Sequence, residues 1–361
     1  MSKSPRDLVR PEVLAMRAYH VAPAEGLVKL DAMENPYRLP PELAAEMGRR
    51  LAGVAVNRYP DPAAARLKER LRAAMRVPAA LDIVLGNGSD EIIQMLSLAL
   101  ARPGAVVLAP EPSFVMYRMS ALVAGMRFEG VPLAADFSLD ERALHAALVA
   151  QRPALTWLAF PNNPTGNLFS REAILRVVEA SPGLVVVDEA YYPFSAGATL
   201  MDEVGRHPNL VLLRTVSKLG LAGLRLGLAA GPSDWMAEFE KLRPPYNVNS
   251  LSAAAAELLL DRREALDRQA EAIVVERGRL GAALASLPGA HPFPSAANFV
   301  LVRVPDAPRA MGVLEERGIL VRNLHGSHPL LAHCLRLTVG TPDENAKLIE
   351  ALASALAPHH A

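Results

Sequence analysis

The sequence predicts an α/β protein: a large domain with a mostly parallel sheet flanked by helices, followed by a smaller α/β domain. Three observations predict it. From about residue 50 to 245, short apolar runs alternate with longer helical patterns, the rhythm of βα units. Several of those runs are apolar throughout, as strands covered on both faces are. The chain, at 361 residues, also exceeds one ordinary domain, on a prior of roughly one domain per 150 residues.

Residues 1–45 are proline-rich and lack a steady period, so they read as an arm or short helices belonging with the small domain. The large domain is expected over 46–250. Its strand candidates are 82–85, 105–108, 155–160, 184–187, 210–213 and 226–229, and a helix over 91–101 repeats Ile92, Leu96 and Leu100 on one face. Residues 250–287 carry one long helical pattern, a bridge into the small domain at 251–361. That domain offers strands at 299–304, 319–321 and 335–339, with a helix between the first two stopped by Gly318. Its last helix opens Thr341, Pro342, Asp343, Glu344, a capping box with proline at the first helical position.

The 38 basic and 38 acidic side chains cancel, which removes the electrostatic argument for a nucleic-acid or anionic-membrane partner. With 51% hydrophobic and 21% charged residues, the composition is that of a globular enzyme. Cys334 is the one cysteine and excludes an intrachain disulfide. The charged start MSKSPRDLVRPEVLAM is no secretory leader, and no apolar run approaches ~18 residues. A cytoplasmic protein without a transmembrane segment is expected.

Ligands of open α/β sheets bind beyond the carboxyl ends of the strands, and those junctions are polar here. In order they are Gly86-Asn87-Gly88-Ser89-Asp90-Glu91, Pro110–Phe114, PNNPTG at 161–166, Asp188-Glu189-Ala190-Tyr191, and Thr215–Lys218. A glycine turn running into a helix presents free N–H groups to a phosphate, or is simply a capped turn. It lacks the Lys-Ser/Thr of a nucleotide-binding loop and the full dinucleotide fingerprint, so a cofactor monophosphate fits better. Lys218 precedes an apolar run containing Arg225. In a dry cleft its amine would lose its proton easily and attack a carbonyl, the requirement for a Schiff base. Asp188 ends a strongly apolar strand, where it either caps a turn or pairs with a cationic ring nitrogen. His325, His328, His333 and Cys334 match no known metal-ligand spacing, and no metal is expected.

The succession GNGSDE, PNNPTG, VDEAY, SK and LAGLR resembles the fold-type I pyridoxal-phosphate aminotransferases over nearly the whole chain. Within them NRYPDP at 57–62, GNGSDEII, RTVSK, PYNVN at 245–249 and LRLTVGT at 335–341 are most similar to the histidinol-phosphate aminotransferase family. The resemblance implies pyridoxal 5'-phosphate as cofactor, held covalently by Lys218, which then shuttles protons. It also implies Asp188 on the pyridine nitrogen, Asn163 and Tyr191 on the phenolic oxygen, and Phe114 stacked on the ring. Ser89, Asp90, Ser217 and Arg225 would hold the phosphate. Tyr59 would reach the cofactor of a neighbouring subunit, which makes a homodimer part of the site. Arg336, with Arg322 as its partner, would grip the anionic group of histidinol phosphate, glutamate or 2-oxoglutarate.

Two departures from the family pattern stand out. One residue fewer separates Lys218 from LAGLR, and LDAMENP at 30–36 places Asp31 and Met33 where amides are common. The implied reaction is transamination between histidinol phosphate and 2-oxoglutarate in histidine biosynthesis. Aromatic amino acids as substrates and a phosphothreonine-type decarboxylation are alternatives with the same cofactor. A cofactor-binding regulatory module and a nicotinamide oxidoreductase are alternatives of other classes.

Overall fold

The computed structural model describes residues 3–18 and 23–357; residues 1–2 and 19–22 of the arm and 358–361 of the small-domain range lie outside the described residues. In chain order its strands are β1 (Val28–Leu30), β2 (Asp82–Gly86), β3 (Val106–Glu111), β4 (Arg127–Pro132), β5 (Leu155–Ala159) and β6 (Leu184–Asp188). There follow β7 (Leu210–Thr215), β8 (Gly227–Gly231), β9 (His291–Pro292), β10 (Phe299–Arg303), β11 (Ile319–Asn323) and β12 (Cys334–Thr338).

Seven strands form one sheet in the order β2-β8-β7-β6-β5-β3-β4. Strands β4, β3, β5, β6 and β7 run parallel, while β8 is antiparallel to both β7 and β2. The central strands are buried on both faces, with Val185 and Val187 in the core on one side and Val186 and Leu184 in the core on the other. This is why their sequences read as unbroken apolar runs. The second sheet, β1-β11-β12-β10-β9, packs a separate core against the carboxyl-terminal helices, centred on Phe299, Val321, Leu337 and Leu352. The last helix, Pro342–Leu356, begins at a capping box in which Thr341 Oγ1 accepts the Glu344 N–H at 3.3 Å and the Glu344 carboxylate accepts the Thr341 N–H at 2.8 Å.

Three elements differ from what the sequence suggests. The single helical pattern over 250–287 is two helices, Ser250–Asp261 and Glu264–Ala285. The segment passes from one core to the other: Leu259, Leu260 and, after the break, Leu266 belong to the core of the large sheet, Ile273 and Leu280 to that of the small one. Strand β4 was hidden by Gly130 and Pro132, which dilute its apolar pattern on a sheet edge. A Cβ on Gly130 would lie 1.9 Å from Glu111 Oε2, so any larger residue there would make that carboxylate move. Strand β1 is three residues long and exists through its parallel pairing with β11, Val28 opposite Ile319. Elsewhere in the arm, Arg10 Nη2 donates to the Val123 carbonyl of the large domain at 2.6 Å.

A buried ion pair ties the ends of β6 and β7 beside the site. Arg214 Nη2 and Nε reach Glu189 Oε2 at 2.6 and 3.0 Å, Arg214 Nη1 donates to the Met75 carbonyl, and the guanidinium lies 3.8 Å above the Tyr192 ring. Glu189 also accepts from Thr199 Oγ1 and the Leu200 N–H. Burial pushes the Glu189 carboxyl above its ordinary range despite its partner. Removing one member strands the other, so Arg214→Met is expected to destabilise the protein by about 3–5 kcal/mol. Arg214→Met combined with Glu189→Leu should recover most of that loss. Urea midpoints of the three proteins test this, and an unchanged midpoint for the single variant would refute it.

Candidate active site

A cavity opens beyond the carboxyl ends of the parallel strands, between the two sheets. Ser89, Asp90, Phe114, Asn163, Asp188, Tyr191, Ser217, Lys218 and Arg225 all line it, from five separate strand-to-helix junctions. The topology gathers them because parallel strands end on one rim.

One end of the cavity is cationic and rich in N–H donors. The helix Ser89–Leu100 starts directly after Gly88, which adopts φ +84°. A Cβ on Gly88 would sit 2.5 Å from Arg225 Nη2, and a Cβ on Gly227 would sit 2.8 Å from the Ser89 nitrogen. Both glycines therefore let the turn, β8 and the arginine close on one another. The shortened Lys218–Arg225 connection is a π-helical turn over 217–221 kinked at Gly220, then a 3₁₀ turn over 222–224. Arg225 follows in the left-handed region at φ +49°, with Nη2 3.4 Å from Asp90 Oδ2. The missing residue thus leaves Arg225 at the cavity. Ser217 is oriented by Thr215, whose Oγ1 donates to Ser217 Oγ at 2.9 Å.

The opposite end is acidic. Asp188 Oδ2 accepts the Tyr117 hydroxyl at 2.8 Å and Oδ1 accepts the Ala190 N–H at 3.0 Å. Burial raises the Asp188 carboxyl to about 6 and drives the Tyr117 hydroxyl well above its ordinary value, with the adjacent carboxylate adding to the effect. Tyr117 escaped the sequence reading. It stacks on Trp157 at 4.8 Å between ring centroids and meets Phe114 edge-on at 5.6 Å. The available clue was its place three residues beyond Phe114, one helical turn along the same face.

Between these ends lie the amine and the amide. Lys218 Nζ donates to the Ala32 carbonyl at 3.3 Å, and burial, helped by the Arg336 charge, lowers its pKa to about 8. Asn163 Nδ2 donates to the Tyr191 hydroxyl at 3.1 Å. Arg336 is buried in β12, where Nη1 donates to Asn163 Oδ1 at 2.6 Å and Nη2 to the Asp31 carbonyl at 2.9 Å. It meets the cavity through Asn163. Arg322 is its cross-strand neighbour on β11 and is half-buried. Tyr59 stands apart: it stacks on Tyr246 at 4.6 Å and is 82% exposed, directed out of the subunit. The His325 and His333 rings lie 4.5 Å apart between centroids, tilted by 38°.

The arrangement suits a flat ligand with a phosphate at one end, a basic ring nitrogen at the other, an anionic oxygen between Asn163 and Tyr191, and a carbonyl within reach of Lys218. The buried Asp188 carboxylate is the telling feature. A group held at about 6 by burial gains most from a fixed cation.

The chain is similar to known proteins over nearly its whole length. The family model for aminotransferase class I and II matches residues 25–352. A histidinol-phosphate aminotransferase of Chromobacterium violaceum is 55% identical over 352 residues, 98% of this chain and 99% of the relative. Histidinol-phosphate aminotransferase 1 of Burkholderia mallei is 55% identical over 354 residues, with the same coverage of 98% and 99%. Among solved structures, the Sinorhizobium meliloti histidinol-phosphate aminotransferase in complex with pyridoxal-5'-phosphate superposes with a TM-score of 0.86 at 26% identity, covering 97% of each chain. The L-threonine-O-3-phosphate decarboxylase of Porphyromonas gingivalis gives a TM-score of 0.77 at 24% identity, over 91% of this chain and 99% of its own, a likeness of fold alone.

Proposed function

The chain belongs to the aminotransferase class I and II family, and from that premise we propose that it is a pyridoxal-phosphate-dependent transaminase. It exchanges an amino group between histidinol phosphate and 2-oxoglutarate, yielding imidazole acetol phosphate and glutamate in histidine biosynthesis. The 55% identity to histidinol-phosphate aminotransferases over 98% of the chain carries the substrate assignment.

The residues present fit the cofactor: a helix amino terminus with Arg225 for the phosphate, a buried carboxylate for the ring nitrogen, and a dry lysine beside two hydrogen-bonding groups. When bound, pyridoxal phosphate supplies the electron sink for the pair left on the substrate's α-carbon. The protein's own groups do the rest. Backbone N–H groups at Ser89 and Asp90, with Ser217 and Arg225, hold the phosphate. Phe114 covers a ring face. Asp188, itself held by Tyr117, keeps the ring nitrogen protonated, and Asn163 and Tyr191 fix the phenolic oxygen. Lys218 would hold the cofactor covalently in the absence of substrate and, once its amine is freed, would move the proton on and off the substrate's α-carbon, work suited to an amine with a pKa of about 8.

Arg336 grips the substrate anion, a phosphate or a carboxylate, with Arg322 beside it. The outward, 82% exposed Tyr59 completes the site of a second copy, so the active form is a homodimer. The same reading divides the chain into the arm at 1–45, a cofactor domain that runs from 46 through the helix Ser250–Asp261, past the expected boundary at 250 because Leu259 and Leu260 pack in the large-sheet core, and a small domain over the remainder, and places the enzyme in the cytoplasm. Among the described residues no helix is long and apolar enough to cross a membrane.

The purified protein, assayed with 2-oxoglutarate as acceptor, should turn over histidinol phosphate at least about tenfold faster than phenylalanine, a margin that one well-fitted substrate group provides. Faster turnover of phenylalanine would replace the substrate while leaving the transaminase reading in place.

A further inference from the structure

Met33 lines the cavity from the small-domain side, and its backbone is held in the left-handed region at φ +53°, uncommon for a long side chain. Its N–H donates to Thr338 Oγ1 at 3.0 Å, and its carbonyl accepts from Asn298 Nδ2 at 2.9 Å. Thr338 and Asn298 are both buried. The two preceding carbonyls are also engaged, that of Ala32 by Lys218 Nζ at 3.3 Å and that of Asp31 by Arg336 Nη2 at 2.9 Å. Residues 31–33 therefore form a strap whose polar groups are tied to the reacting amine, to the anion-gripping arginine and to the small sheet. The direction of the Met33 Cβ is fixed by these bonds. Only its side chain, unbranched and with three rotatable bonds, can adapt.

A substrate placed with its α-carbon at Lys218 and its anion at Arg336 has one substituent left to accommodate. Met33, the next residue along the strap after the carbonyls that meet Arg336 and Lys218, lines the cavity together with Lys218. For histidinol phosphate the remaining substituent is a flat imidazole; for glutamate it is an aliphatic chain ending in a second carboxylate. A thioether offers polarizable contact to an aromatic ring and no counter-charge to a carboxylate.

Resting on the transaminase reading above, we propose that Met33 is a specificity-determining residue: its side chain is the adaptable apolar wall against which the ring of a heteroaromatic amino donor packs. The same side chain swings aside to admit the acidic chain of glutamate, so one cavity serves both half-reactions without moving the strap.

The test uses the full-length, cofactor-loaded protein and the variants Met33→Asn and Met33→Gly. Both replacements tolerate a positive φ, so neither adds backbone strain. Calorimetric titration with 3-(imidazol-4-yl)propionate and with glutarate reads the subsite without catalysis. Both variants should bind the imidazole ligand about tenfold more weakly, the scale of one lost apolar contact, and glutarate within about twofold of the unmodified protein. The ratio of kcat/KM for histidinol phosphate to that for glutamate should fall by the same factor. Equal weakening of both ligands would make Met33 a structural residue and overturn the proposal, as would no change in either. If the unmodified protein fails to transaminate histidinol phosphate, the substrate assignment falls. The binding ratio still decides the role of Met33.

Discussion

Lys218→Ala is expected to lower transamination by about 10⁴-fold, the upper range for removal of a positioned acid-base group, while leaving the fold intact. The side chain makes one hydrogen bond to the protein, to the Ala32 carbonyl, so its loss removes little packing. After borohydride treatment of the cofactor-loaded proteins, intact mass should show the cofactor attached to the unmodified chain and absent from the variant. The buried position adds a pH signature. An ordinary lysine amine loses its proton near 10.5, whereas this one does so at about 8. Covalent capture of added pyridoxal phosphate by cofactor-free protein requires the neutral amine, so its rate should rise with pH through about 8 and level off above. A rate still climbing toward 10.5 would show that the cleft does not desolvate Lys218.

Asp188→Asn is expected to move function and stability in opposite directions. Loss of the carboxylate removes the partner of the ring nitrogen, a preorganised electrostatic contact worth about 10²–10³ in rate. The stability effect follows from the carboxyl's shift from 3.8 to about 6 through burial. Between those values the folded chain keeps a proton that the unfolded chain has released. Stability of the cofactor-free protein therefore falls as pH rises through that window. Above about 6 the full penalty applies, on the order of 3 kcal/mol for a shift of this size. Asparagine is neutral at every pH and retains an amide oxygen for the Tyr117 hydroxyl. The cofactor-free variant should thus be more stable than the unmodified protein at pH 8 and no more stable near pH 4. Urea denaturation at the two pH values decides it: equal midpoints at pH 8 would mean that Asp188 is compensated within the protein itself.

These two residues also show why so much of the site was legible before any coordinates. Lys218 and Asp188 each stand at the end of an apolar strand run, and a charged group in that setting needs a reason to be there. Once β6 and β7 pair in parallel, with Val187 opposite Leu212 and Asp188 opposite Leu213, their carboxyl ends share one rim. The phosphate turn was similarly readable, because Gly88 and Ser89 mark a helix start whatever surrounds them. Tyr117 was not. Nothing local distinguishes a tyrosine that packs on Trp157 from one that also holds Asp188, 71 residues away.

The sequence by itself determined the alternation of strands and helices, the polar junctions after the strands, and the identity of the amine and carboxylate that line the cavity. Those features follow from short-range periodicity and from the cost of burying charge, both written in neighbouring residues. Tertiary structure alone decided the rest. The helix break at 262–263 divides a segment that passes from the core of the large sheet to that of the small one. The strand β1 exists only through β11. The link from Arg336 to Asn163 spans 173 residues, and the hold of Arg336 on Asp31 spans 305. Such contacts depend on how the small sheet seats against the large one, a balance over many side chains that no local pattern encodes.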